Sequence, residues 1–228
     1  MTRKNAEALP TKAKVLIVDD HPVVREGLMM HLATQPDLEV CGEAEDLPGA
    51  LTLLASARPD VAIIDISLKN SNGIELIRRV KDRGDAVRIL VWSMYPESLY
   101  AERALRAGAE GYLNKGQATH CVLDAVRSIL QGRVYVSGKL ADQLLQRVVG
   151  RKAEERSGID SLSDRELEAF QFLGEGMTTE SIAEKMHVSP KTVETFRARI
   201  KEKLGISNLP ELIQRAAQWV VESTYQID

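Results

Sequence analysis

The chain has 228 residues, 44% of them hydrophobic and 28% charged, with a formal net charge of −3. This is the composition of a globular protein with room for two ordinary domains, and it excludes fibrous, low-complexity and strongly basic chains. No run reaches the ~18 apolar residues of a membrane span, and Met1 to Lys14 lacks an apolar core of signal-peptide length. Cys41 and Cys121 form neither a disulfide framework nor a metal spacing, so a reduced, cytoplasmic setting without membrane contact is expected.

Residues 1–12 read as a disordered tail. Strand and helix patterns then alternate. Val15-Leu16-Ile17-Val18 is an apolar run that stops on Asp19-Asp20, and residues 22–32 carry helical spacing opened by Pro22. A short strand over 39–44 and a helix over about 48–57 follow. Val61-Ala62-Ile63-Ile64 is apolar throughout and ends on Asp65, as a strand covered on both faces would. A helix opened by Gly73 runs through Leu76, Ile77 and Val80. Then come a strand over 88–93, a helix over 98–107, a strand over 111–115 and a helix over 119–131. Five such repeats predict an α/β domain over 13–132, a doubly wound five-stranded parallel sheet with right-handed crossovers.

Residues 133–160 read as a linker with one amphipathic helix through Leu140, Leu144, Leu145 and Val148, then the charged run Arg151-Lys152-Ala153-Glu154-Glu155-Arg156. Residues 161–228 carry four helical patterns and predict a second, smaller, all-α domain. The breaks fall at Gly174-Glu175-Gly176, Val188-Ser189-Pro190 and Gly205-Ile206-Ser207-Asn208.

Open α/β sheets place ligands at the carboxyl ends of their strands, where Asp19, Asp20 and Asp65 all lie. If those two strands are neighbours, three carboxylates converge. Such a cluster calls for a hard divalent cation with oxygen ligands, and Mg2+ is expected. Ser93 ends the fourth strand, Lys115 ends the fifth, and Tyr112 precedes that lysine by three residues. A nucleophilic carboxylate, a cation, a lysine and a hydroxyl together suit phosphoryl transfer that leaves an acyl phosphate on Asp65.

Asp19-Asp20, Asp65, Ser93 and Lys115 stand in the order and at the spacing of bacterial response-regulator receiver domains, which this segment resembles. The Val-Asp-Asp-His opening and Leu130-Gln131-Gly132…Tyr135-Val136-Ser137 resemble the NarL/FixJ branch. The resemblance implies a flavodoxin-like receiver with Asp65 as phosphoacceptor and Asp19 and Asp20 holding Mg2+ together with Asp65 and the backbone carbonyl of Ser67. It further implies that Lys115 binds phosphate and that Ser93 and Tyr112 form a switch pair. Two positions depart from many receivers: Lys69 stands where proline is common and adds a positive charge beside the site, and Gly116 stands where a proline often follows the lysine. His21 reads as a structural or surface residue.

In the second domain, Ser163 and Glu166 form the pattern of a capping box. A short helix over 179–186, a tight turn at Val188-Ser189 and a helix from Pro190 to Leu204 follow. A 100° wheel turns Val193, Phe196, Ile200 and Leu204 inward. Lys191, Glu194, Thr195 and Ala198 face outward, flanked by Arg199 and Lys201, with Arg197 and Lys203 nearer the boundary. Residues 160–228 hold 12 acidic and 8 basic residues, so the positive charge is local: five basic residues against Glu194 and Glu202 between Lys191 and Lys203. Two helices on a tight turn suit a major groove.

Leu162-Ser163-Asp164-Arg165-Glu166, Gly176-Met177-Thr178, Ile182-Ala183, Val188-Ser189-Pro190-Lys191-Thr192-Val193-Glu194 and Ile200…Lys203-Leu204-Gly205 resemble the LuxR-type helix-turn-helix. That resemblance implies base reading by Glu194, Thr195 and Ala198. It adds Thr192 to the DNA contacts and a phosphate grip by Lys191, Arg197, Arg199 and Lys201. Some relatives carry lysine at the Glu194 and Ala198 places and histidine at that of Phe196, so a different operator is expected. In the last helix, expected over 209–221, Leu212, Ile213, Ala216, Ala217 and Val220 serve dimerisation or close the core. The function so implied is phosphorylation-dependent, DNA-binding transcriptional regulation in a two-component system. Its partners are a sensor histidine kinase, double-stranded DNA, RNA polymerase and a second copy of the chain, and it is not an enzyme. A magnesium phosphohydrolase of the haloacid-dehalogenase pattern needs Asp-x-Asp, which Asp19-Asp20-His21 does not supply. A dinucleotide enzyme needs a glycine-rich first turn, also missing here.

Overall fold

The structure, a computed structural model, describes residues 12–118, 120–148 and 158–225. The expected tail up to residue 11, the helix start at Thr119 and the charged run 151–156 lie outside the described residues. Five parallel strands, β1 (Ala13–Val18), β2 (Leu38–Ala44), β3 (Val61–Ile64), β4 (Arg88–Ser93) and β5 (Gly111–Asn114), form one sheet in the order β2-β1-β3-β4-β5. Alternate side chains divide the core in two. Leu16, Val18, Ala62, Ile64, Ile89, Val91 and Tyr112 lie in the core of α2 (Leu47–Ala57), α3 (Gly73–Asp82) and α4 (Glu97–Ala107). Val15, Ile17, Val61, Ile63, Leu90, Trp92 and Leu113 lie in that of α1 (Pro22–Ala33) and α5 (His120–Leu130). Cover on both faces is why the central strands are apolar throughout rather than alternating.

The chain leaves β1 for β2 on one side and returns through β3 on the other. The strand order therefore reverses between β1 and β3, and a crevice opens at their carboxyl ends. Asp19 follows β1 and Asp65 follows β3, so the topology alone brings them together.

The loop below Asp65 is tightly built. Ser67–Leu68 pairs with Ser71–Asn72 in a two-residue hairpin turned by Asn70 at φ 58°. The Asn72 side chain caps α3 by accepting from the Ile74 amide at 2.8 Å, and the Gly73 amide donates to the Ile66 carbonyl at 2.7 Å. A Cβ on Gly73 would lie 2.0 Å from the Asp65 carbonyl oxygen. Backbone packed that closely admits only glycine.

After α5, Tyr135 bridges to Gly111 and extends the sheet edge, then α6 (Gly138–Val148) follows within the expected linker. Beyond a 3-10 turn (Gly158–Ser161), four helices form the second unit: α7 (Asp164–Gly174), α8 (Thr179–Lys185), α9 (Pro190–Leu204) and α10 (Leu209–Tyr225). Ser163 and Glu166 make the expected capping box at α7. Serine and proline open α9, and Gly205 closes it at φ 67°. Leu212 and Ala216 are fully buried, with Gly174 of α7 so close to the Ala216 carbonyl that a Cβ there would lie 2.5 Å away. These two residues close the domain core and are not available to a second copy. Ile213 is exposed, Val220 half-buried, and α10 runs four residues past its expected end.

Among the described residues no helix is long and apolar enough to cross a membrane. Overpacking a tight backbone contact costs about 3 kcal/mol or more when nothing can yield. Gly73→Ala should therefore lower the stability of the sheet domain by about that amount in urea unfolding, and a change below about 1 kcal/mol would show that the loop relaxes freely.

Candidate functional site

At the carboxyl ends of β1, β3, β4 and β5 the structure brings Asp19, Asp20, Asp65, Ser93 and Lys115 together. Lys115 leaves the end of β5, its amide tied to the Ser93 carbonyl at 2.8 Å. Its ammonium lies between two carboxylates, 2.5 Å from Asp19 Oδ2 and 2.6 Å from Asp65 Oδ2. The Ser93 hydroxyl donates to the other Asp65 oxygen, Oδ1, at 2.5 Å, and the Ile66 amide donates to the same atom at 2.6 Å. The side chains of Asp19, Asp65 and Lys115 are only 3%, 4% and 6% exposed.

Burial raises the Asp65 carboxyl to about 6, Lys115 opposes that rise, and Asp19 adds to it. The folded chain thus holds a proton on Asp65 more firmly than the unfolded chain. Ionising Asp65 costs stability, the cost growing from about pH 4 to about pH 6 and remaining above. Burial alone would lower the Lys115 ammonium, yet Asp65 and Asp19 outweigh it and hold the group above its ordinary value. Removing either member of such a buried pair strands a charge, at about 3–5 kcal/mol.

Asp19, Asp20, His21 and Asp65 each offer a ligand atom, all within 4.8 Å of one another. Asp20 Oδ1 is buried and accepts no hydrogen bond, although His21 Nδ1 lies 2.7 Å away. An orphaned carboxylate oxygen in an acidic cluster fits a hard cation. Ser67 sits in the hairpin two residues past Asp65. His21 is a surface residue, as expected, with its side chain 64% exposed, and it borders the site through its amide, bonded to Asp19 Oδ1 at 2.9 Å. Lys69 does not charge the site; its ammonium pairs with Glu45 at 2.8 Å. The Gly116 amide donates to Asn114 Oδ1 at 2.7 Å, a bond proline cannot form.

Tyr112 is fully buried and far above its ordinary range because of that burial. Its hydroxyl donates to the Tyr95 carbonyl at 2.8 Å. Tyr95 lies two residues past Ser93, and its own hydroxyl donates at 2.7 Å to Glu168 of α7. Glu168 is completely buried, also takes hydrogen bonds from Arg165 at 2.9 Å and Asn72 at 3.5 Å, and is raised by desolvation. The Tyr95 ring packs, tilted, against Tyr100 and Phe172, with centroids 4.6 and 6.2 Å away. Arg78 and Arg103 both reach Asp164, and His187 Nε2 lies 3.2 Å from Asp20 Oδ2. The second unit therefore rests on the crevice itself. Sequence reasoning missed Tyr95, Glu168 and His187, since nothing in one chain's pattern says which surface residues of two domains will meet.

On α9, Lys191, Glu194, Thr195, Ala198 and Arg199 are exposed, while Val193 and Ile200 are buried, as the wheel requires. Thr192 is half-buried and joins the helix cap, its hydroxyl 2.9 Å from that of Ser189. Arg197 lies along the helix, paired with Glu194 and bonded to Thr179 at 2.6 Å, so it is less available than expected. Lys201 is half-buried. Helix α9 keeps its outward face in solvent even with the two units in contact.

Residues 15–127 match the model of the response regulator receiver domain, and residues 160–216 that of the bacterial regulatory proteins of the luxR family. The virulence-factor transcription regulator BvgA of Bordetella pertussis is 34% identical over 89% of this chain and 96% of its own length. The DNA-binding transcriptional activator DevR/DosR of Mycobacterium tuberculosis is 36% identical over 85% and 88%. Among solved structures, RcsB of Salmonella enterica serovar Typhimurium, bound to a promoter with the phosphomimetic BeF3−, is similar at 26% identity. It has a TM-score of 0.60 and spans 91% of this chain and all of that one. By the two matched domains and by identity over nearly its whole length, the chain belongs to the response regulators of two-component systems that carry a LuxR-type DNA-binding domain.

Proposed function

We propose that this regulator is switched by a phosphoryl group on Asp65, received from the phosphohistidine of a sensor kinase, and that it acts as a cytoplasmic dimer on double-stranded DNA and through it on RNA polymerase. The observation that carries this reading is the Lys115 ammonium held between Asp19 and Asp65, with Ser93 on the remaining Asp65 oxygen. An Asp65 oxygen attacks phosphorus, the new O–P bond forms as the P–N bond breaks, and the imidazole nitrogen keeps the electron pair. Lys115 is placed to balance the charge gathering on the phosphoryl oxygens. The Ser93 hydroxyl leaves the carboxylate for the phosphoryl group. Mg2+ bound by Asp19, Asp20, Asp65 and the Ser67 carbonyl supplies electrostatic neutralisation of the same oxygens.

Once Ser93 turns toward phosphate, the Ser93–Tyr95 segment and the Tyr112 hydroxyl that holds it have a second arrangement to adopt. Tyr95 also carries the bond to Glu168, so that rearrangement loosens the contact with α7. A phosphoryl group shifts this equilibrium only through its different affinity for the two arrangements. Freed from the receiver, the DNA-binding unit pairs with a second copy, with exposed Ile213 on α10 available for contact. Glu194, Thr195 and Ala198 meet base edges while Lys191 and Arg199 meet phosphates. Arg197 follows if its pairing with Glu194 opens on the duplex.

Two experiments test this. Mass spectrometry after incubation with a small phosphodonor and Mg2+ should find one acid-labile phosphate on the wild type and none on Asp65→Asn; equal labelling of the two would place the acceptor elsewhere. In fluorescence anisotropy against salt, Arg199→Ala should weaken all duplexes by similar factors and reduce the salt slope by about 1. Ala198→Lys should instead reorder the preference among duplexes, and a purely uniform effect would remove Ala198 from the reading face.

A further inference from the structure

Asp20 is the carboxylate of the crevice that Lys115 does not neutralise. Its Oδ1 is buried without an accepted hydrogen bond, with His21 Nδ1 of the receiver 2.7 Å away, and Oδ2 faces His187 of the DNA-binding domain at 3.2 Å. His187 sits in the turn between α8 and α9, in the left-handed region at φ 53°, which a residue with a Cβ enters at a cost. The turn is held there. The His187 amide bonds to the Glu184 carbonyl at 3.1 Å, Arg165 reaches the Met186 carbonyl at 2.9 Å, and the Glu168–Tyr95 and Asp164–Arg78 bonds fix the domain against the receiver. His187 is thus delivered to Asp20 by the closed arrangement of the two domains.

We propose that domain closure and occupation of the acidic pocket by a divalent cation compete, with His187 as the competing group. Two physical reasons lead there. Mg2+ keeps several of its waters when carboxylates bind it. The Asp19, Asp20 and Asp65 side chains are between 3% and 6% exposed, and the imidazoles of His21 and His187 lie 2.7 and 3.2 Å from Asp20, so a hydrated cation reaching Asp20 meets a histidine. Of the two imidazoles only that of His187 comes from the other domain, so its departure is the one that separates the domains. The second reason is charge. A dication on Asp20 spends the negative charge that holds His187, and an N–H donor aimed at that carboxylate repels the dication. Cation binding therefore opens the chain before any phosphate arrives, and by linkage closure weakens cation binding by the same factor.

This inference rests on the reading of Asp19, Asp20 and Asp65 as the cation site, and the test separates the two. Calorimetric titration of the full chain with Mg2+ at fixed pH and ionic strength would compare wild type with His187→Ala, Glu168→Gln and Asp20→Asn. His187→Ala should bind Mg2+ about fivefold more tightly or better, a coupling of ordinary size. Glu168→Gln, which touches no pocket residue, should tighten binding too, and small-angle scattering should find the wild type expanding as Mg2+ is added. Unchanged affinity in His187→Ala, with binding lost in Asp20→Asn, would overturn the competition and leave the cation site standing. Weaker affinity in His187→Ala would make the histidine a ligand and reverse the inference. Undiminished binding in Asp20→Asn would overturn the site and the inference together.

Discussion

The arrangement of the whole molecule depends on one ammonium group. Lys115 is buried between Asp19 and Asp65, and only that charge makes it tolerable for two carboxylates to lie nearly out of water on adjacent strand ends. The pair in turn fixes the carboxyl edge of the sheet. Asp65 is pinned by Lys115, by Ser93 and by the Ile66 amide, and the loop that follows is threaded so closely that Gly73 has no room for a side chain. A carboxylate held this way is strained toward protonation, yet it keeps a cation at hand. Both conditions suit a group that must accept a phosphoryl group and later lose it.

From that edge a short path of hydrogen bonds leads out of the receiver. Ser93 touches Asp65, Tyr95 follows two residues later under the Tyr112 hydroxyl, and the Tyr95 hydroxyl ends on a carboxylate buried in the other domain. Glu168 is the member of this path that costs most to leave unpaired, since it lies wholly out of solvent and its charge leans on Arg165 and Tyr95. The interface joins an apolar cluster of Tyr95, Tyr100, Leu162 and Phe172 to the buried polar groups of Glu168 and Asp164. Such contacts are sensitive to small displacements, which is the property a switch requires. The contact holds α7 and the turn before α9 and leaves the outward face of α9 in solvent.

The sheet and its site were legible in the chain for a simple reason. Strands covered on both faces are written as unbroken apolar runs, and the residues that end those runs are brought together by topology, whatever the side-chain details. The capping box of α7 and the inward face of α9 were equally readable, because both are local in sequence. What was not legible is everything that depends on the meeting of distant surfaces. By sequence Lys69 is a charge beside the site, and only the fold pairs it with Glu45. Leu212 and Ala216 carry the same apolar pattern whether they face α7 or a second chain, and only burial separates the two cases. His187 and Glu168 lie more than a hundred residues from Asp20 and more than seventy from Tyr95, and no periodicity records that contact.

On the proposed switch, the state of Asp65 reaches α7 through Tyr95 and Glu168. Hydrogen-exchange mass spectrometry of the full chain, with and without Mg2+ and beryllofluoride as a phosphoryl mimic, tests it most directly. Peptides covering 159–173 and 94–101 should lose protection together when the mimic binds, while β1 and β3 keep theirs. Protection in 159–173 that is indifferent to the mimic, with the receiver peptides responding, would contradict it.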